Sequence, residues 1–157
     1  MNVILFDDPS IRQDLSPFTL TRPVSEIRVG ILTITEKWEK RLKTKASFQT
    51  VDYLQEKYAT KNSSDNVLVN GAVCPDEQLV KAIDELSDGH GLSKNGILVA
   101  ARSANASIEN IQQTEYHGEV TLIDQVWKIF QYNGAQIKSD FDLLTKGRKS
   151  NDLNDTH

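Results

Sequence analysis

The chain is predicted to fold as an α/β domain, a mostly parallel sheet with helices on both faces. Short continuous apolar runs of strand length recur along it, and stretches with helical apolar periodicity alternate with them. Each run also leaves through polar or glycine-bearing residues, as strands do at their turns. The 157 residues leave room for one domain, and a domain of this size buries roughly 68–70% of the surface its unfolded chain exposes.

Val3-Ile4-Leu5-Phe6, ended by Asp7-Asp8-Pro9, has the pattern of a buried central strand with a polar exit. After a long connection, Ile31, Ile34, Trp38 and Leu42 recur at spacings of three, four and four, which places them on one face of a helix. Thr33 and Glu36 have capping-box spacing at its start, so hydroxyl and carboxylate can satisfy its free amide donors. Ser47–Val51 is a weaker strand candidate, and Val67-Leu68-Val69 is a second clear run that leaves through Asn70-Gly71. Between Asp76 and Leu86, Leu79, Ile83 and Leu86 form a helical face, with acids in the first turn and Gly89 just beyond the end. Ile97–Ala101 is the third run, entered from Gly96 and left through Arg102-Ser103, and Glu119–Ile123 is another weaker strand. Asp124–Tyr132 and Ala135–Leu144 read as two further helices, the second stopped by Gly147. Residues 1–146 thus form the predicted domain, and 147–157 a polar tail or the start of a linker.

Composition narrows the function classes. With 38% apolar and 25% charged residues the chain can build a packed core and is not disordered. A net charge of −4 argues against a protein that coats nucleic acid or an anionic membrane. Residues 1–45 nevertheless hold eight Lys/Arg against six Asp/Glu, a local excess that suits a small anion. Cys74 is the only cysteine, which excludes an internal disulfide and a secreted stapled fold. No apolar run has the length of a membrane span or a signal-peptide core, so the expected compartment is the cytoplasm.

Ligands of such sheets sit at the carboxyl ends of the strands, which directs attention to Asp7-Asp8, Asn70-Gly71 and Arg102-Ser103. More than twenty residues separate the first strand from the next clear helix, where an ordinary connection takes a few. Phe18, Leu20, Val24 and Ile27 within it favour an ordered segment packed on the domain. It also carries Arg12, Arg22 and Arg28, with Lys37 on the following helix. Guanidinium forks match phosphate oxygens two at a time, and a lysine adds a point charge. The competing reading pairs these cations with Asp14, Glu26 and other carboxylates on the surface.

Leu15-Ser16-Pro17-Phe18-Thr19-Leu20-Thr21-Arg22-Pro23 resembles the stretch after the glycine-rich loop of sugar-1-phosphate nucleotidyltransferases, which often reads L-x-P-L-T followed by P-K. The run from Leu5-Phe6-Asp7-Asp8 through Arg28-Val29-Gly30 and Glu36-Lys37-Trp38 is similar to a divergent bacterial subgroup. Its members are bifunctional N-acetylglucosamine-1-phosphate uridylyltransferase/glucosamine-1-phosphate acetyltransferase-like proteins. The likeness is strong over residues 3–42 and weaker at Leu68–Gly71 and around Leu122–Asp142.

The resemblance implies a Rossmann-like domain in which a sugar 1-phosphate oxygen attacks the α-phosphorus of a nucleoside triphosphate. The products would be a nucleotide sugar, UDP-N-acetylglucosamine as the best guess, and pyrophosphate. It implies catalytic roles for Arg22, Arg28 and Lys37, and a nucleotide site at Asp7, Asp8, Thr21, Arg22, Pro23, Asn70 and Gly71. It further implies Mg²⁺, with Asp8 and Asp76 as candidate ligands, and a C-terminal left-handed β-helix in a longer parent. Several departures weigh toward the alternative of a non-catalytic domain that binds a nucleotide sugar or a partner. Asp7 to Asp14 contains no glycine, Val24 stands where the family usually has lysine, and Asn70-Gly71 replaces a Gly-Asp pair. Asp76 is equally well explained as a helix cap. This chain carries no hexapeptide repeats for the acetyltransferase half.

Other chemistries fit less well. A phospho-acceptor receiver needs an aspartate where Asn70 stands, and a haloacid-dehalogenase-type phosphatase needs an acid where Pro9 stands. His90, His117 and His157 have no zinc-ligand spacing with Cys74 or with one another, and no G-x-S-x-G elbow starts a serine triad.

Overall fold

The computed structural model describes residues 1–149. Of the tail or linker start expected over 147–157, residues 150–157 lie outside the described residues. The elements run β1 (Asn2–Phe6), α1 (Pro9–Asp14), α2 (Ile34–Leu42), β2 (Ala46–Gln49), β3 (Asn66–Asn70), β4 (Val73–Cys74), α3 (Glu77–Asp84), β5 (His90–Lys94), β6 (Ile97–Ser103), β7 (Gln112–Glu115), β8 (Thr121–Leu122) and α4 (Val126–Thr145).

Six strands form one sheet in the order β2-β1-β3-β6-β5-β7, and β4 pairs with β8 in a small ribbon beside it. β1 pairs in parallel with β2 and β3, and β5 does so with β7. β6 lies antiparallel to both of its neighbours, so five strands share one direction and β6 alone opposes it. That is the mostly parallel α/β sheet the sequence predicts. The reversal of β6 changes one expectation. Arg102-Ser103 lies at the amino end of the sheet, where Arg102 pairs with Asp65 at 2.8 Å, and the start of β6 takes its place at the carboxyl end.

Alternation along the central strands sorts their side chains. Val3, Leu5, Val67 and Val69 join Ile11, Ile34, Trp38, Leu79 and Ile83 of α1, α2 and α3 in the main core. Ile4, Phe6 and Leu68 point the other way and pack with Leu98 and Ala106. The buried apolar residues of α1–α3 therefore serve one cluster, and the connection after β6 supplies Ala106 to the opposite face.

Two helices begin where the sequence puts their caps. Thr33 Oγ1 accepts from the Glu36 amide at 3.1 Å while Glu36 accepts from the Thr33 amide at 2.7 Å, so the capping box is complete. Asp76 accepts from the Leu79 amide at 2.7 Å at the start of α3. Ile31, placed by periodicity on the α2 face, precedes that helix and is exposed. The two helices expected over Asp124–Leu144 are one: α4 runs unbroken through Asn133-Gly134. An exposed glycine costs a helix only about 1 kcal/mol relative to alanine. Contacts on both sides of it hold α4 to the domain, since Asn133 Oδ1 accepts from the Gly30 amide and Asp140 from those of Ile31 and Leu32.

Candidate functional site

The carboxyl ends of β1 and β3 are gathered around Asp7. One of its oxygens accepts from the Val24 amide at 2.9 Å; the other accepts from Arg12 at 2.9 Å and Thr50 at 2.6 Å. Burial raises the Asp7 carboxyl above the ordinary aspartate range, against the opposing pull of Thr50, the Val24 amide and Arg12. Arg12 also donates to the carbonyls of Thr19 and Arg22, and to the Tyr53 hydroxyl at 3.1 Å. A buried acid and a buried guanidinium thus fold the long connection into a fixed shape beside the end of β1.

That connection is ordered, as its apolar content predicts. Leu15, Val24, Ile27 and Val29 are buried, whereas Phe18 and Leu20 face solvent, contrary to the packing expected of them. Gly71 donates to the Phe6 carbonyl at 2.8 Å, and a Cβ at Gly71 would sit 3.2 Å from the Ser25 amide nitrogen. The β3 exit and the connection therefore meet at a point where side-chain volume is excluded. The structure brings Asp7, Asp8, Thr21-Arg22-Pro23 and Asn70-Gly71 to one end of the sheet through these contacts.

The polar groups of this end are unequally free. Asn70 is buried, donating to the Leu98 carbonyl at 3.0 Å and accepting from the Ala72 amide at 3.0 Å. Asp8 caps α1 through Oδ1, which accepts from the Ser10 and Ile11 amides and the Ser10 hydroxyl. Arg22 is exposed, and its guanidinium has no ion-pair partner among the described residues.

Arg28 and Lys37 are not part of this gathering. Arg28 donates to the Ile31 carbonyl and lies 3.7 Å from Glu36, in the local pairing that the competing reading anticipated. Lys37 is buried and pairs with the equally buried Asp140 at 2.5 Å. A lysine so enclosed offers no ammonium to a phosphate, because removing its partner would leave an uncompensated charge in the core. The three cations thus do not converge on one cleft.

Two cavities flank the β3 exit. One of about 370 Å³ adjoins Phe6, Asp7, Pro9, Arg12, Thr50 and Ile108 at the ends of β1 and β2. The other, of about 300 Å³, lies at the end of β5 and the start of β6, against Lys94, Asn95, Glu119, Asp124, Lys128 and Tyr132. Its lysines are engaged: Lys94 donates to the Tyr116 and Gly118 carbonyls, and Lys128 pairs with Asp124 at 2.6 Å. Sequence reasoning missed Thr50, Tyr53 and the wall of the second cavity. Only the pairing of distant strands brings these residues to the strand ends.

Among the described residues, no group of three or more His, Cys, Asp or Glu is arranged to hold a metal. The donor set does not form a protein cage. Of the candidate ligands, Asp8 keeps an oxygen that could join a metal, since its Oδ2 accepts no hydrogen bond among the described residues. Asp76 spends its Oδ1 on the α3 cap.

A family model described as sugar nucleotidyl transferase matches residues 3–149. The fold is similar to that of a Bacillus anthracis protein named as a glucose-1-phosphate thymidylyltransferase and crystallised with sucrose. The TM-score is 0.51 at 11% identity, over 87% of this chain and 95% of that one. At that identity the likeness shows the shared α/β fold of nucleotide-diphospho-sugar transferases. No protein of curated function matches the chain.

Proposed function

The chain belongs to the sugar nucleotidyl transferase family, and from that membership we propose that it makes UDP-N-acetylglucosamine from UTP and N-acetylglucosamine 1-phosphate. Family membership supports a nucleotidyltransferase whose substrates are a nucleoside triphosphate and a sugar 1-phosphate; the base and sugar are this proposal's own. A sugar-phosphate oxygen forms a bond to the α-phosphorus, the bond to the β,γ-phosphates breaks, and pyrophosphate leaves with the electron pair. The observation that carries the reading is the match over residues 3–149, read with the clustering of Asp7, Arg22-Pro23 and Asn70-Gly71 at the strand ends.

In this reading Arg22 meets the phosphates, because its guanidinium is the one left unpaired among Arg22, Arg28 and Lys37. Lys37 fixes the connection by holding Asp140, and Arg28 steadies the turn before α2 through Ile31 and Glu36. Mg²⁺ would supply charge neutralisation on the phosphates, with Asp8 the protein group best placed to join it. The proposed setting is the bacterial cytoplasm, in a longer parent completed by a C-terminal left-handed β-helix. No helix among the described residues is long and apolar enough to cross a membrane.

Thermal unfolding with Mg²⁺ and each of UTP, dTTP, GTP, CTP and ATP tests the nucleotide site. A ligand at about 100 times its dissociation constant adds roughly 2.7 kcal/mol, a shift of several degrees. A selective rise with UTP, followed by pyrophosphate release on adding N-acetylglucosamine 1-phosphate, supports the proposal. A rise with another triphosphate alone overturns the choice of base. Binding without pyrophosphate release from any sugar 1-phosphate leaves the non-catalytic reading in its place.

A further inference from the structure

α4 is amphipathic on two sides. One side holds the domain through Gln136 and Asp140, with Ile129 and Tyr132 packed against the main core. The other presents Trp127, Phe130, Gly134, Ile137 and Phe141 to solvent, at spacings of three, four, three and four. That 3.5-residue period is the seam along which one helix packs against another. The large residues are 63%, 78%, 42% and 59% exposed, in the order Trp127, Phe130, Ile137, Phe141.

The stripe is close to symmetric about its middle. Seven residues before Gly134 stands Trp127 and seven after it Phe141; four before is Phe130 and three after is Ile137. A Cβ at Gly134 would meet nothing within 4 Å, so the centre of the stripe is open to close approach by another backbone. We propose that this face pairs with α4 of a second copy, antiparallel about a two-fold axis at Gly134. Trp127 of one copy then lies opposite Phe141 of the other, and Phe130 opposite Ile137. Such a self-complementary patch is what a two-fold interface requires and what an unrelated partner does not.

The area suffices. Aromatic side chains bury roughly 150–250 Å² each, so the exposed fractions amount to about 500 Å² per copy and about 1,000 Å² for the pair. That reaches the lower bound of roughly 1,000 Å² for a specific interface, with aromatic anchors at its centre.

Sedimentation equilibrium of the whole chain tests this. The proposal expects a mass twice the 17.6 kDa of one chain at high micromolar concentration. Phe130→Glu should return it to one chain, while Ala135→Glu, on the same helix but off the stripe, should leave the pair intact. Circular dichroism reports whether each variant folds. Gly134→Cys gives an independent readout, because two cysteines beside a two-fold axis come within disulfide range. Mild oxidation should then link the chains, with buried Cys74 inert. A single-chain mass at every concentration overturns the proposal. So does a dimer that survives Phe130→Glu and is not linked through Gly134→Cys.

Discussion

Arg22 and Lys37 lie fifteen residues apart and end in opposite environments: Arg22 is exposed and unpaired, while Lys37 is closed into the core against Asp140. Their substitutions should separate accordingly. Arg22→Ala should change stability by less than about 0.5 kcal/mol. It should nevertheless lower turnover by roughly 10- to 100-fold, the value of one charge-assisted contact, in a pyrophosphate-release assay. Lys37→Met should cost about 3–5 kcal/mol in urea unfolding, because it strands a buried carboxylate. Adding Asp140→Asn should recover part of that loss, since the amide oxygen can still accept from the Ile31 and Leu32 amides without the lone charge. The capping residues Thr33 and Asp76 were legible because their partners lie within three positions. The fate of Lys37 was not, because Asp140 is 103 positions away and no local pattern joins them.

Among elements, the strands read most clearly were those with continuous apolar runs, while the weaker candidates Ser47–Val51 and Glu119–Ile123 overlap β2 and β8. β5 has one large apolar residue in His90–Lys94, and β7 is the wholly exposed polar strand Gln112–Glu115, so neither carries the alternation that marks a strand. Both exist because a neighbour offers its backbone. α4 was divided at Asn133-Gly134 for the same kind of reason: helix propensity falls there, while the tertiary contacts that override it come from residues 30–32. The same contacts make Gly30 irreplaceable. Its φ is +88°, and an added Cβ would lie 2.6 Å from Asp140 Oδ2 and 2.8 Å from the Gln136 carbonyl carbon. Gly30→Ala should therefore destabilise the fold by about 2–3 kcal/mol in the same unfolding assay, through strain as well as displacement of α4.

For the molecule as a whole, one reversed strand decided which residues share an end of the sheet. The common direction of β1, β2 and β3 could be inferred from alternating elements; the reversal of β6 could not, since a short β5–β6 turn at Asn95-Gly96 carries no sign of which neighbours the hairpin will join. The core also sets a limit in alkali. Burial pushes the Cys74 thiol up to about 12 from 9.0. An acid harder to ionise when folded contributes stability that is complete below pH 9 and lost as pH rises through about 12. At about 1.36 kcal/mol per unit this is roughly 4 kcal/mol, and Cys74→Ala should flatten the decline when unfolding is followed across that window. The Lys37–Asp140 pair has a last consequence, for the order in which the chain can be made. A ribosome releases α2 and the first three strands long before residue 140 emerges, so during synthesis the lysine has no carboxylate to enter the core with. The nascent chain must hold that segment open to water until α4 arrives, and the domain can lock only when nearly all of it has been translated.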